Sequence, residues 1–286
     1  MVSETSKVSS HLALQTPMTI DTYDSYFKDF SGRTERLKDI IRYRIYQTMF
    51  YHTNLAAHSK RVAWQTLALL DMLPSAARSS LDEERIILMA WVHDDHEIIA
   101  GDHQSGNEKH MTKEQFAGLH QKEARAVDEL CKIFPETIGN YKYRDLLSEA
   151  VRVDTIGSQI IKLADKIEGS GEALHEVFGG NMSFSSGIID PDYQKEIHAP
   201  PVYYGKYFDA LFDKLPLLSP LSAFLALPLI TAAISDDLIE MSKDRFPHTR
   251  ASLDIPTGYA PYDYWKKNFL SHADEDEVKQ LYIKTE

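Results

Sequence analysis

Four side chains in this sequence combine metal-ligand chemistry with positions where water is scarce. His93 and Asp94 are adjacent at the end of a strongly apolar run, Ile86 to Val92. Ile86, Ala90, His93, Glu97 and Ala100 recur three or four residues apart, so on a helix His93 and Glu97 share a face with core residues. His58 lies on a similar stripe of Leu55, Val62, Thr66 and Leu69, and Asp165 sits within Ile161-Lys162-Leu163-Ala164-Asp165-Lys166. An imidazole or carboxylate facing a core needs a partner, or its burial costs several kcal/mol. Taken singly, each reads as a satisfied core histidine or a capping aspartate. Taken together, the four can offset their burial by converging on one divalent cation.

Those side chains need helices to hold them, and the periodicity predicts helices throughout. Leu37, Ile40, Ile41, Arg44, Ile45, Thr48 and Met49 follow a 3.6-residue stripe that begins near Thr34. Leu55, Val62, Leu69 and Leu73 mark a second helix, ended by Pro74. Asp82 with Glu83-Glu84 opens a third, which runs through the apolar segment towards Gly101. Others are expected at Lys113 to Phe134, Arg144 to Val153 and Ser158 to Phe178, the last stopped by Gly179-Gly180. Residues 181–201 read as a loop or lid, with further helical pieces at 203–215, 221–243, 261–271 and 274–283. No bounded period-2 alternation stands out, so the predicted class is all-α. The Ser/Thr-rich residues 1–20 read as a flexible tail, residues 21–200 as the core, and residues 201–286 as a helical extension packed on that core.

Composition narrows the partners. With 286 residues, 43% hydrophobic and 26% charged, the chain has ample material for a buried core. Lys+Arg 31 against Asp+Glu 43 leaves a net charge of −12, which opposes binding to nucleic-acid polymers or anionic membranes. A local group of cations, or a metal, can still hold a small phosphorylated molecule. Cys131 is the single cysteine, which excludes an intrachain disulfide and a Cys-rich zinc site. That fits a reducing compartment, and no signal-peptide pattern follows Lys7, so the expected location is cytoplasmic. The one membrane suspect is Leu215 to Ile234. It carries Pro216, Pro220 and Pro228 and is flanked by Asp213 and Asp236-Asp237, so it reads as a buried core helix.

The order His58, His93-Asp94, Asp165, each on a predicted helix, resembles the HD-domain metal-dependent phosphohydrolases, an all-helical family. Asn54-Leu55-Ala56-Ala57-His58-Ser59 is similar to the N-x-A/S-E-H-S segment of the YfbR-like 5′-deoxynucleotidases among them. His93 to Asp102 is similar to their HD-x-x-E-x-x-x-G-D segment, and Lys162-Leu163-Ala164-Asp165-Lys166 to their K-x-A-D helix. Gly180-Asn181 resembles a Gly-Asn that follows it. The likeness runs from about residue 35 to 185. Ala57 departs from it, since the family often has an acidic residue before the first histidine.

The resemblance implies an HD-type helical bundle that removes phosphate from a small nucleotide, a deoxynucleoside 5′-monophosphate above all. It implies one divalent ion (Mn²⁺, Co²⁺, Fe²⁺, Zn²⁺ or Mg²⁺) held by His58, His93, Asp94 and Asp165, a donor set suited to such ions. Glu97 and Asp102 match the family's catalytic acidic pair, and neighbouring carboxylates push each other's pKa values apart, giving one acid and one base. Arg44 stands near the family's phosphate-contacting arginine, with Arg42 as its rival because the intervening loop differs. Lys162 and Lys166 read as solvated helix lysines. His110 and His120 lie in a polar stretch unsuited to a second metal, and His96 and His103 are left for supporting or substrate roles. A homodimer is left open. The rival functions are a nucleoside triphosphate triphosphohydrolase, for which no Lys/Arg cluster is visible, and a non-catalytic HD interaction module, which the intact quartet disfavours.

Overall fold

The computed structural model describes residues 23–42, 51–102, 111–178, 211–225 and 283–284. The predicted tail, the lid at 181–201, Arg44, His103, His110, the Gly180-Asn181 pair and most of the C-terminal helices lie outside them. The described architecture is all-α, with four two-residue strands added.

Helix α1 covers Arg33–Lys38 and strand β1 Tyr51–His52. Helix α2, Leu55–Met72, is the central pillar, with Leu55, Val62, Ala63, Trp64, Thr66, Leu69 and Leu70 all buried. A helix buried on nearly all sides is what such an apolar sequence dictates. After the single turn α3, Ser75–Arg78, comes α4, Glu83–Val92, whose residues Ile86 to Val92 are buried without exception. Asp82 caps it by accepting the Arg85 N–H at 3.1 Å. The turn α5, Glu97–Ala100, leads on to α6, Lys113–Ile133, which opens with a capping box formed by Thr112 and Gln115. The hairpin β2–β3 (Thr137–Ile138 and Tyr141–Lys142) precedes α7, Tyr143–Arg152, and α8, Ile156–Phe178. Helix α2 packs against α4 and α8. A Cβ added at Gly157 would stand 2.9 Å from Ile86, so α4 and α8 approach as closely as they do because that residue has no side chain.

Three expectations are corrected. The stripe from Leu37 to Met49 does not make one helix: α1 stops at Lys38, and Ile41 bridges Asn54 instead. The Arg42 N–H donates to the Thr53 carbonyl at 2.9 Å and the Leu55 N–H to that of Ile40 at 3.1 Å. Tertiary pairing overrides periodicity there, helped by the β-branched Ile40-Ile41. The third helix does not continue to Gly101, because residues 93–96 form tight turns before α5. At the far end Ile283–Lys284 forms strand β4, antiparallel to β1, where residue 283 was expected to be helical.

The segment that raised a membrane question begins with a 3-10 stretch, Pro216–Leu221, shaped by its prolines. Leu215, Leu218 and Leu225 join the main core, and the Leu217 N–H donates to Gln159 Oε1 at 3.0 Å. Among the described residues no helix is long and apolar enough to cross a membrane.

Candidate active site

Three helices deliver the four side chains to one point. Asn54 caps α2 by accepting the Ala57 N–H at 3.0 Å, which sets His58 in the first turn with no exposed surface. His93 ends α4, Asp94 follows it, and Asp165 comes from the middle of α8. His58 Nε2 lies 3.3 Å from Asp94 Oδ2 and 3.4 Å from Asp165 Oδ1. His93 Nε2 lies 3.2 Å from the same Asp94 oxygen. Ligand atoms of His58, His93 and Asp165 fall within 4.8 Å of one another, and Asp94 stands between the two imidazoles.

Both Nε2 atoms are buried without a hydrogen-bond partner among the described residues. Their Nδ1 atoms are engaged: His93 Nδ1 lies 2.8 Å from the Ala90 carbonyl, and His58 Nδ1 lies 2.6 Å from Glu168 Oε2. A ring that donates from Nδ1 keeps its lone pair on Nε2, the arrangement metal-bound histidines adopt. Two buried imidazole nitrogens facing two carboxylates fit a divalent cation, which would complete all four groups at once.

Glu97 is buried close by, with Oε2 unpartnered among the described residues. Burial, reinforced by the charges of Asp94 and Asp102, holds its carboxyl well above the usual range. Between Glu97 and Asp102, Gly101 adopts a φ of +79°, a backbone conformation that favours glycine. Asp165 is opposite in character. Burial pushes its pKa up, but Lys166 and Lys162 outweigh that and hold it well below the ordinary value. Lys162 Nζ lies 3.0 Å and Lys166 Nζ 3.2 Å from Asp165 Oδ2, so these lysines are not solvated bystanders as expected. Arg42 is buried at the site, 3.0 Å from Glu168 and 3.7 Å from Glu172. His96 folds back on the His93 carbonyl at 3.1 Å, and His120 is exposed, pairing with Glu123 at 3.0 Å.

A family model described as 5′-deoxynucleotidase YfbR-like matches residues 29–212, well over half of the chain. The chain belongs to the YfbR-like family. The matched span extends past the motif-bearing residues 35–185 at both ends. Curated relatives include the 5′-deoxynucleotidase of Vibrio parahaemolyticus, 30% identical over 156 residues, which is 54% of this chain and 78% of that protein. Those of Pectobacterium atrosepticum and Vibrio cholerae are 29% and 28% identical, covering 54% of this chain and 76% and 78% of theirs. The YfbR-like family is metal-dependent, and the cluster of His58, His93 and Asp165 is one that could hold such an ion.

Two supports of this candidate site were not foreseen from the sequence. Asp95, fully buried, takes Arg33 Nε at 2.7 Å and a second guanidinium nitrogen at 2.6 Å. Arg33 also donates to the Trp91 carbonyl at 2.6 Å, and Tyr143 donates its hydroxyl to Asp95 at 3.0 Å. This clamp pins the turn that carries His93 and Asp94. The second support is a buried group of Arg42, Arg61, Glu168 and Glu172 behind His58. Its signal was present in the sequence: Arg61 follows His58 by three residues, and Glu168 and Glu172 follow Asp165 by three and seven. On helices those spacings place charged groups on the same buried faces as the ligand candidates.

Proposed function

We propose that His58, His93, Asp94 and Asp165 hold one divalent cation while Glu97 and Asp102 manage the protons of phosphoester hydrolysis, on a deoxynucleoside 5′-monophosphate. That the chain is a phosphomonoester hydrolase of nucleotides comes with its family and with relatives named 5′-deoxynucleotidases. The roles of individual residues rest above all on the two buried Nε2 atoms that face Asp94 and Asp165 without a hydrogen bond.

A divalent cation in this site supplies Lewis acidity to the phosphoryl oxygens and makes water a better nucleophile at neutral pH. The protein does the rest. The imidazoles present preset lone pairs, so no ring has to reorient when the ion arrives. Water attacks phosphorus and gives up a proton while the bond from phosphorus to the 5′ oxygen breaks. Glu97, which burial keeps protonated to unusually high pH, is the proton donor to the leaving oxygen. Asp102, whose charge Glu97 feels, takes the proton from water, the complementary task of an acid–base pair of carboxylates. The phosphate charge needs a cation beyond the metal. Arg44 and its rival Arg42 are the candidates for that contact; among the described residues Arg42 pairs with Glu168 and Glu172 behind His58.

A phosphate-release screen of nucleoside mono-, di- and triphosphates against Mn²⁺, Co²⁺, Fe²⁺, Zn²⁺ and Mg²⁺ tests this reading. Inorganic phosphate released from deoxynucleoside monophosphates is the expected result. Tripolyphosphate released from triphosphates would assign the chain to the triphosphohydrolases, and no turnover would leave an interaction module.

A further inference from the structure

Glu168 follows Asp165 by one turn of α8, so one helical face carries both a ligand candidate and a carboxylate that reaches His58. Glu168 Oε2 lies 2.6 Å from His58 Nδ1 and 3.0 Å from the Arg42 guanidinium, and Oε1 accepts from Arg61 Nε. Glu172, one turn further, accepts from another Arg61 nitrogen and does not touch the imidazole. Glu168 is 2% exposed and Arg61 not at all. An ionised carboxylate only accepts hydrogen bonds, so its contact with an imidazole nitrogen needs the hydrogen on that nitrogen.

We propose that Glu168 is a positioning residue of the metal centre: by taking the Nδ1–H of His58 it fixes the tautomer whose Nε2 lone pair faces Asp94 and Asp165. The inference rests on the reading of His58 as a ligand. Arg42 and Arg61 anchor the Glu168 carboxylate, so the aim of His58 is set by a buried ionic group and not by the ring's own packing alone. The rival assignment uses the same atoms. The Arg42 guanidinium also touches His58 Nδ1, and if it donated there the ring proton would sit on Nε2, leaving no lone pair for an ion.

Two measurements decide between them. Long-range ¹H–¹⁵N spectra of the metal-free wild-type chain should show His58 protonated at Nδ1 and bare at Nε2; the opposite tautomer overturns the proposal. Glu168→Ala should weaken Co²⁺ binding, followed by its visible absorption, by about 10–100-fold, the usual cost of losing an outer partner of a ligand histidine. Glu172→Gln perturbs the same ionic group without touching the ring and should leave Co²⁺ affinity near wild type. Equal losses in the two variants, or none in Glu168→Ala, would show that Glu168 serves folding only. If Glu168→Ala does not fold, the tautomer in the wild-type chain decides by itself. Failure of the underlying reading looks different: wild type and His58→Ala would then bind Co²⁺ equally.

Discussion

At the scale of single residues, Glu97 sits where its charge is least welcome. Burial, Asp94 and Asp102 all favour its neutral form. Removing it should lower the rate of the chemical step by about 10²–10⁴-fold, the range expected for loss of a general acid. Glu97→Gln, which keeps the shape and removes the titration, should retain its bound metal; single-turnover kinetics beside metal analysis make the test. Loss of metal together with activity would make Glu97 a ligand. The same shift carries a stability signature. With a raised pKa the folded state binds more protons than the unfolded chain, so stability falls as pH rises from the ordinary carboxylate pKa through the folded one. Glu97→Gln removes that penalty, so in metal-free protein its melting temperature should gain on wild type at pH 8 and not at pH 4. No gain at pH 8 would show that the charge is already compensated.

At the scale of elements, the site depends on how α4 ends. An ideal helix would carry His93, Asp94 and Glu97 around its axis, but the chain tightens after Val92, with the Asp95 N–H donating to the Val92 carbonyl at 2.9 Å and the Glu97 N–H to that of Asp94 at 2.9 Å. Asp95, held by Arg33 from α1 and Tyr143 from α7, fixes that turn. Removing one partner of a buried ion pair strands the other charge, which costs about 3–5 kcal/mol. Arg33→Met should therefore lose about that much in urea unfolding, although Arg33 touches none of the ligand candidates. A loss under about 1 kcal/mol, the scale of an exposed pair, would mean that water reaches Asp95 once Arg33 is gone.

At the scale of the whole molecule, an acidic chain gathers its cations around an acidic centre. Arg42, Arg61, Lys162 and Lys166 pair with Asp165, Glu168 and Glu172, so these three carboxylates are balanced locally although the chain carries a net charge of −12. A ligand that binds only the folded state stabilises it by mass action, about 2.7 kcal/mol at a hundredfold excess over its dissociation constant. Mn²⁺ or Co²⁺ at that excess should raise the melting temperature of the wild-type chain. Asp94→Ala, which removes the carboxylate between the two imidazoles, should be unmoved by either ion and inactive. An equal upward shift in both proteins would place the ion elsewhere.

Much of this site was legible in the order of residues. His58, His93, Glu97 and Asp165 stood out because polar groups interrupt apolar helical stripes, a local property that a sequence carries by itself, and the resemblance to the HD order added Asp94 to the ligand candidates. Helices α2, α4, α6, α7 and α8 were readable for the same reason, with Asp82 marking the start of α4. What periodicity could not contain is partnership between distant segments. Arg33 with Asp95 and His58 with Glu168 join residues 62 and 110 positions apart, and although helical spacing puts Glu168 on the face of Asp165, nothing local says which residue it meets. The early end of α1 and the tight turn at 93–96 have the same origin. Each local helical preference is worth a few tenths of a kcal/mol per residue, whereas a buried ion pair or a strand-like exchange of backbone hydrogen bonds is worth more once the chain has closed. The residues that could bind the metal were determined by the sequence. Which way their lone pairs point was decided only when α8 packed against α2.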